Sequence, residues 1–420
     1  MTLGASLTVI AILPFSGSDV SLLSDDGASS VAETSSVVAR VSSYFLTAAG
    51  RGDSVAVTLR NPTANVPLGH LAVPFGTEPN ILGPRRFPRL GLIVGAVDPA
   101  GLEKMRNDPD VVDVVPAVAP KMMYNVELLE DGGAQRSWSL DFLRIPDLWN
   151  KGITGKGLAI GHLDSGVAGD HPALKRPLKA FAVIDSTGGS SEGGAASDSH
   201  GHGTHTAGIL CAQPMNGVTV GIAPDASLFC CQITGEGALM RLLGGLEWLL
   251  GKNVRLISLS AGVQPFNPVF QAVIDRLRLS NILPIVAIGN EYAGSSYSPA
   301  NYRNALGVGS ISDQSNVADS SCSQNFGEPP PYSKPDLVAP GVGILSTRRF
   351  GGYEMRSGTS QATPCVVGIA ALLMQAFPNA TIAEIEQRII RSCRKINGEP
   401  ASRQGHGIVN PVTALSVLSP

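Results

Sequence analysis

Residues 227 to 260 read SLFCCQITGEGALMRLLGGLEWLLGKNVRLISLS, and the fold turns on them. The run SLFCCQI (227–233) is short, apolar and without polar alternation, the pattern of a strand covered on both faces. In ALMRLLGGLEWLL (238–250) apolar residues recur at three and four, so a helix follows. RLISLS (255–260) is again a short apolar strand. The same alternation continues outward, with strands predicted at LAIGHLD (158–164), ILPIVAI (282–288) and ALGVGS (305–310) and a helix at PVFQAVIDRLRL (268–279). Strands that alternate with helices predict an α/β domain, a doubly wound, mostly parallel sheet with helices on both faces, whose chemistry lies at the carboxyl ends of the strands.

That pattern begins at Trp138, so residues 138–420 are read as one domain. Upstream, SVAVTLR (54–60), RLGLIVGAV (89–97) and VVDVVPAV (111–118) read as strands and AGLEKMRND (100–108) as a helix, which makes residues 36–120 a small α+β unit. Residues 121–137 (KMMYNVELLEDGGAQRS) read as a linker, and residues 1–35 as a strand plus linker. The apolar run Leu7–Phe15 is short enough for a signal-peptide core. No Lys or Arg precedes Arg40, however, and a buried strand is the reading that follows.

The 420 residues suffice for two or three domains, and 43% apolar with 15% charged residues describes a chain that folds. A formal charge of −3 with no long run of either sign leaves no footprint for nucleic acid. No apolar run reaches the roughly 18 residues of a membrane span. The six cysteines, Cys211, Cys230, Cys231, Cys322, Cys365 and Cys393, lie mostly in apolar runs and none has C-x-x-C spacing; they read as reduced core residues. Together with the missing positive N-terminal region, they make a cytoplasmic location the expectation over a secreted one.

Four segments carry groups capable of chemistry. Asp164 ends a predicted strand and precedes Ser-Gly-Val; alone it reads as a turn residue bonding its own backbone. Asp198-Ser-His-Gly-His-Gly-Thr-His places His200, His202 and His205 close together before a helix, either as metal ligands with Asp198 or as one general base among structural neighbours. Ser360 follows a Gly-Thr turn at the start of a long apolar helix, where exposed N–H groups suit a nucleophile and equally suit a simple cap. Asn290 brings a side-chain amide to the end of another strand, where turn chemistry alone accounts for it.

In this order, HLDSGV, HGHGTHTAG, AIGNE and SGTSQATP resemble the Asp, His, Asn and Ser motifs of the subtilisin-like serine proteases, or subtilases. LWNKGITGKG (148–157) and KPDLVAPG (334–341) extend the resemblance between motifs, and residues 36–120 resemble more weakly the family's inhibitory propeptide, chiefly through LEKMRNDPDVVDVVP (102–116). The resemblance implies a subtilisin-like fold and a serine endopeptidase acting on peptide or protein substrates. Ser360 is then the nucleophile, His202 the general base and acid, Asp164 the carboxylate behind it and Asn290 the oxyanion donor. It also implies that Ser258, Leu259, Ser260, Ala261 and Gly262, and Thr234, Gly235, Glu236 and Gly237, flank an extended substrate. His205 becomes structural, and the metal reading of the cluster recedes. Glu291, beside Asn290, is placed near the pocket for the residue preceding the scissile bond, with a preference for basic side chains or an exposed rim as its two readings.

No cofactor is implied for catalysis, and although calcium sites are common in the family, no ligand string here supports one. Gln361, Cys365 and Cys322 stand where the family more often has Met, His and an aromatic residue. A catalytically silent binding protein on the same fold is the alternative; it would be expected to lack one of the four groups. The N-terminal unit is expected to act as an intramolecular inhibitor whose trailing segment occupies the cleft, with residues 121–137 the candidate autoprocessing segment, cut somewhere between Lys121 and Arg136.

Overall fold

The computed structural model describes residues 39–45, 53–59, 84–124 and 133–417. Residues 1–35, Leu7–Phe15 included, lie outside them.

Eight strands form the main sheet, in the spatial order Leu337–Pro340, Leu306–Ile311, Leu283–Ala287, Leu256–Leu259, Ala159–Asp164, Ser227–Gln232, Leu178–Ile184 and Ser190–Glu192. All neighbours are parallel except the last pair, which is antiparallel. This is the mostly parallel α/β sheet the sequence predicts. Successive residues of each strand feed opposite faces. Ile160, Cys230, Leu256 and Ile285 pack with the helices His202–Cys211 and Thr359–Ala376. Leu163, Cys231, Ile257 and Val286 pack with Ala238–Leu250 and Gln271–Leu279. A strand buried on both sides has no solvent face to encode, which is why these runs show no polar alternation.

None of the cysteines forms a disulfide; Cys393 is half-buried and the other five are buried. Cys230 and Cys231 enter opposite cores, as adjacent residues of a strand must. The predicted helix 268–279 begins instead as a 3₁₀ turn, Pro268–Phe270, because Asn267 Oδ1 caps the Val269 N–H at 3.0 Å and the chain turns α-helical only at Gln271.

The N-terminal residues form a separate antiparallel sheet in the order Arg85–Phe87, Leu92–Val97, Asp53–Leu59 and Val111–Pro116, with a helix at Pro99–Asn107. That helix starts at Asp98, whose carboxylate accepts the Gly101 N–H at 2.7 Å, and Pro99 occupies its first turn. The unit docks on the outer helices of the large sheet. Phe87 and Leu90 are buried in the same core as Leu239, Met240, Leu243 and Leu246, an apolar burial of about 1.5–3 kcal/mol for each side chain. The Glu247 carboxylate accepts the backbone N–H groups of Arg89 and Leu90 at 2.9 and 3.0 Å, and Arg276 Nε donates to the Arg89 carbonyl at 2.6 Å. Downstream, Lys121–Met122 is a short strand, ordered where the sequence suggests a linker.

Among the described residues, no helix is long and apolar enough to cross a membrane.

Candidate active site

The strand Ala159–Asp164 lies where the winding of the sheet reverses, since the chain next builds the strands on one of its sides and then crosses to Leu256–Leu259 on the other. Its carboxyl end is therefore a crevice between diverging connections. Asp164 sits there, fully buried. Oδ1 accepts the Ser165 N–H and lies against His202 Nδ1, both at 2.7 Å. Oδ2 accepts the Thr206 hydroxyl at 3.2 Å, and that hydroxyl is 2.9 Å from His162 Nε2. Burial by itself pushes a carboxyl up, but His202, His162 and the Ser165 N–H outweigh it and hold Asp164 at about 2. An ionised carboxylate only accepts, so Nδ1 of His202 carries the proton it donates, and Nε2 is left as the basic nitrogen.

His202 opens the helix His202–Cys211 after Gly201, whose φ of +95° is open to glycine at little cost. Asp198 builds this entry. Its carboxylate accepts the N–H groups of His200, Gly201 and Thr204 at 2.9, 2.8 and 2.7 Å and the hydroxyls of Ser165 and Thr204 at 2.7 and 2.5 Å. With those bonds Asp198 has no lone pair to offer a metal. His205 turns away, Nε2 facing the carbonyls of Ile344 and Glu354 at 3.0 and 3.1 Å. His200 stacks on Tyr124. The three histidines thus diverge, and among the described residues no group of three or more His, Cys, Asp or Glu is placed to hold a metal ion.

Ser360 is the second residue of the helix Thr359–Ala376, which follows Gly358. The Thr359 N–H and hydroxyl donate to Asn290 Oδ1 at 2.9 and 3.0 Å. This anchors the amide by its oxygen and leaves Nδ2, like His202 Nε2, buried without a partner among the described residues. The Ser360 hydroxyl donates to the carbonyl of Met123 at 2.7 Å.

Met123 belongs to a segment laid across the crevice. Lys121–Met122 pairs antiparallel with Ala261–Gly262, and the Met123 N–H donates to the Ser260 carbonyl at 2.9 Å. Met123 is buried over Gly262, where an added Cβ would come within 3.0 Å of its Cε. Tyr124 follows, its ring 3.9 Å from His200 and 5.1 Å from His202, centroid to centroid. Ser360, His200 and His202 therefore meet the two consecutive residues that follow the strand Lys121–Met122. Of the two edges expected to flank an extended chain, Ser260–Gly262 pairs with it, while Ser258 and Leu259 pair inside the large sheet and Thr234–Gly237 pairs with none of the described residues of the segment. Gly237 caps the helix Ala238–Leu250 with its backbone against Ser186, the Glu236 carbonyl accepts Arg241 Nε, Gly235 lies beside the Arg241 guanidinium, and Thr234 bonds the Ser199 hydroxyl.

Glu291 does not reach Met123. Its exposed carboxylate lies 3.8 Å from Lys121 Nζ, two residues earlier, and accepts the Tyr297 hydroxyl at 3.0 Å. Cys322 Sγ accepts the Glu291 N–H at 3.0 Å, and Cys365 Sγ lies against the Pro340 carbonyl. Gln361 keeps both ends of its amide buried and unpartnered. Sequence reasoning missed Met123, Tyr124, Thr206, His162 and the anchoring Thr359; His162, Thr206 and Thr359 lie inside the HLDSGV, HGHGTHTAG and SGTSQATP motifs, whereas Met123 and Tyr124 lie in no motif.

Residues 155–407 match the model of the Subtilase family. Subtilisin E of Bacillus subtilis (strain 168) is 27% identical over 333 residues, covering 78% of this chain and 81% of the relative. A thermostable alkaline protease of Halalkalibacterium halodurans is 28% identical over 327 residues, 77% of this chain and 83% of the relative. Subtilisin Savinase of Lederbergia lenta is 30% identical over 281 residues, 66% of this chain and 97% of the relative. A parallel sheet with this crevice at its carboxyl edge, matched over that length, places the chain in a defined class: it belongs to the subtilase family. Its activity is accordingly that of a serine endopeptidase, in a family that needs no cofactor for catalysis.

Proposed function

We propose that Ser360, His202 and Asp164 act as the catalytic triad, that Asn290 and the Ser360 N–H bind the oxyanion, and that the segment ending at Met123–Tyr124 holds the enzyme in check. The observation that carries this reading is the Ser360 hydroxyl 2.7 Å from a carbonyl oxygen of a chain bound as a β-strand at the cleft edge. Ser360 Oγ attacks the carbonyl carbon of a peptide so placed, and His202 Nε2 takes its proton. The charge that develops on the carbonyl oxygen is met by Asn290 Nδ2, whose orientation is set beforehand by Thr359. Asp164 keeps the Nδ1–H tautomer and stabilises the imidazolium, which returns the proton to the leaving amine. Water then attacks the acyl carbon while His202 Nε2 takes its proton, and His202 returns that proton to Ser360 Oγ as the acyl–oxygen bond breaks, releasing the carboxylic acid and restoring the hydroxyl.

The test is peptide hydrolysis by the purified chain with and without a serine-directed phosphonate, beside the Ser360→Ala and Asn290→Ala variants. Ser360→Ala is expected to fold and to lose turnover. Asn290→Ala should lower kcat about 10²- to 10³-fold, a magnitude taken over from a subtilisin, with little change in KM. Folded Ser360→Ala protein with wild-type turnover would remove the assignment.

A further inference from the structure

His200 has no part in the chemistry above, yet it makes the closest ring contact of the site. Its imidazole is exposed and lies nearly parallel to the Tyr124 ring, at 17° and 3.9 Å between centroids. The edge of His202 meets the same ring at 5.1 Å and 69°. The His200 backbone is fixed by its N–H on Asp198 Oδ1 at 2.9 Å. The next residue, Gly201, is backed by Arg356, since a Cβ there would sit 3.1 Å from Arg356 Nη2. Arg356 is itself buried and paired with Glu354 at 2.7 Å, so its charge is spent within the wall. What remains facing the segment is a rigidly mounted aromatic face beside the residue that follows the Met123 carbonyl.

We propose that His200 is a specificity-determining residue, selecting an aromatic side chain at the position immediately after the scissile bond. This rests on the reading that residues 121–124 lie in the crevice in the register of a substrate. Stacked ring pairs contribute beyond the area they bury, which corresponds to about three- to tenfold in relative rate constant. A saturated ring of the same size buries similar area without that contribution, and so separates stacking from simple hydrophobicity. His200 selects and does not take part in bond breaking; its signature is a ratio between substrates.

The experiment measures kcat/KM of the full-length chain for internally quenched peptides containing Lys-Met-Met-X, where X is tyrosine, cyclohexylalanine or alanine. Tyrosine is expected to exceed cyclohexylalanine about three- to tenfold. The ratio should fall to about one in His200→Ala and be retained in His200→Phe, which restores a flat ring without an imidazole. Ser360-dependent hydrolysis with equal rates for tyrosine and cyclohexylalanine, or a preference that survives His200→Ala, would overturn the subsite alone. Hydrolysis of these peptides that persists in Ser360→Ala would overturn the site reading and the subsite with it.

Discussion

His205 is fully buried, with its Nε2–H shared between two carbonyl oxygens and its Nδ1 sealed without a partner. A second proton would place a charged N–H where nothing accepts it. Burial, then Arg356 and His202, accordingly hold its pKa down at about 3. In the unfolded chain a histidine takes up its proton near pH 6.5, so between 6.5 and 3 the unfolded state binds more protons than the folded one. The His205 contribution is therefore intact above pH 6.5 and is lost as pH falls towards 3, on the order of 5 kcal/mol across the window. In a Ser360→Ala background, which removes self-digestion, urea unfolding between pH 7 and 4 should lose stability steeply. His205→Gln, which can keep one N–H on the carbonyls, should flatten that slope. Parallel curves for the two proteins would show that His205 is not the group responsible. At this scale the motifs told much: Asp164, His202, Asn290 and Ser360 each come from a short segment whose local turn fixes where the side chain emerges. The contacts of Tyr124, His162 and Glu291 could not be read, because they are made with residues 44 to 170 positions away or depend on the register of a strand no local pattern marks.

The helix His202–Cys211 touches the end of the strand Ala159–Asp164 through its second residue. A Cβ on Gly203 would stand 2.1 Å from the Gly166 carbonyl oxygen and 3.1 Å from Asp164 Cβ, so the helix start and the strand end have no room between them. Gly203→Ala should push the helix outward and carry His202 away from Asp164. Stability is expected to fall by about 1–3 kcal/mol, as in other overpacked contacts. Displacing the base by an ångström should also lower kcat by about two orders of magnitude. Calorimetry with steady-state kinetics checks both, and wild-type kcat in a destabilised variant would mean that the helix start relaxes without moving His202. Elements of this kind were legible in proportion to their periodicity. The helix Ala238–Leu250 has the predicted bounds because its apolar stripe runs its full length, whereas the strand predicted to reach Val118 stops at Pro116, which has no N–H to continue a ladder.

Across the whole molecule, the N-terminal sheet and the cleft are joined at two points, one at Phe87, Leu90 and Glu247 on the outer helices and one at Lys121–Met123 along Ala261–Gly262. A segment tethered so near the cleft has an effective concentration of order millimolar, so modest strand pairing keeps it in place. On the proposed reading, the placement that would block the cleft also presents one bond to Ser360. The Met123 carbonyl accepts the serine hydroxyl, the Met123 N–H is held by Ser260, and Tyr124 lies on the leaving side against His200 and His202. The expectation from the sequence is a cut somewhere between Lys121 and Arg136; from this placement we propose the Met123–Tyr124 bond. Intact-mass analysis of freshly purified wild-type protein should find fragments 1–123 and 124–420, at a rate unchanged by tenfold dilution because the reaction is within one chain. Ser360→Ala should remain a single chain, and wild-type protein added to it should cut it only in proportion to its concentration. Peptide hydrolysis should rise when the released fragment is separated from the enzyme and fall when it is returned. An intact wild-type chain that hydrolyses peptides at full rate would show that Lys121–Tyr124 leaves the crevice freely, and the N-terminal unit would then need a purpose other than restraint.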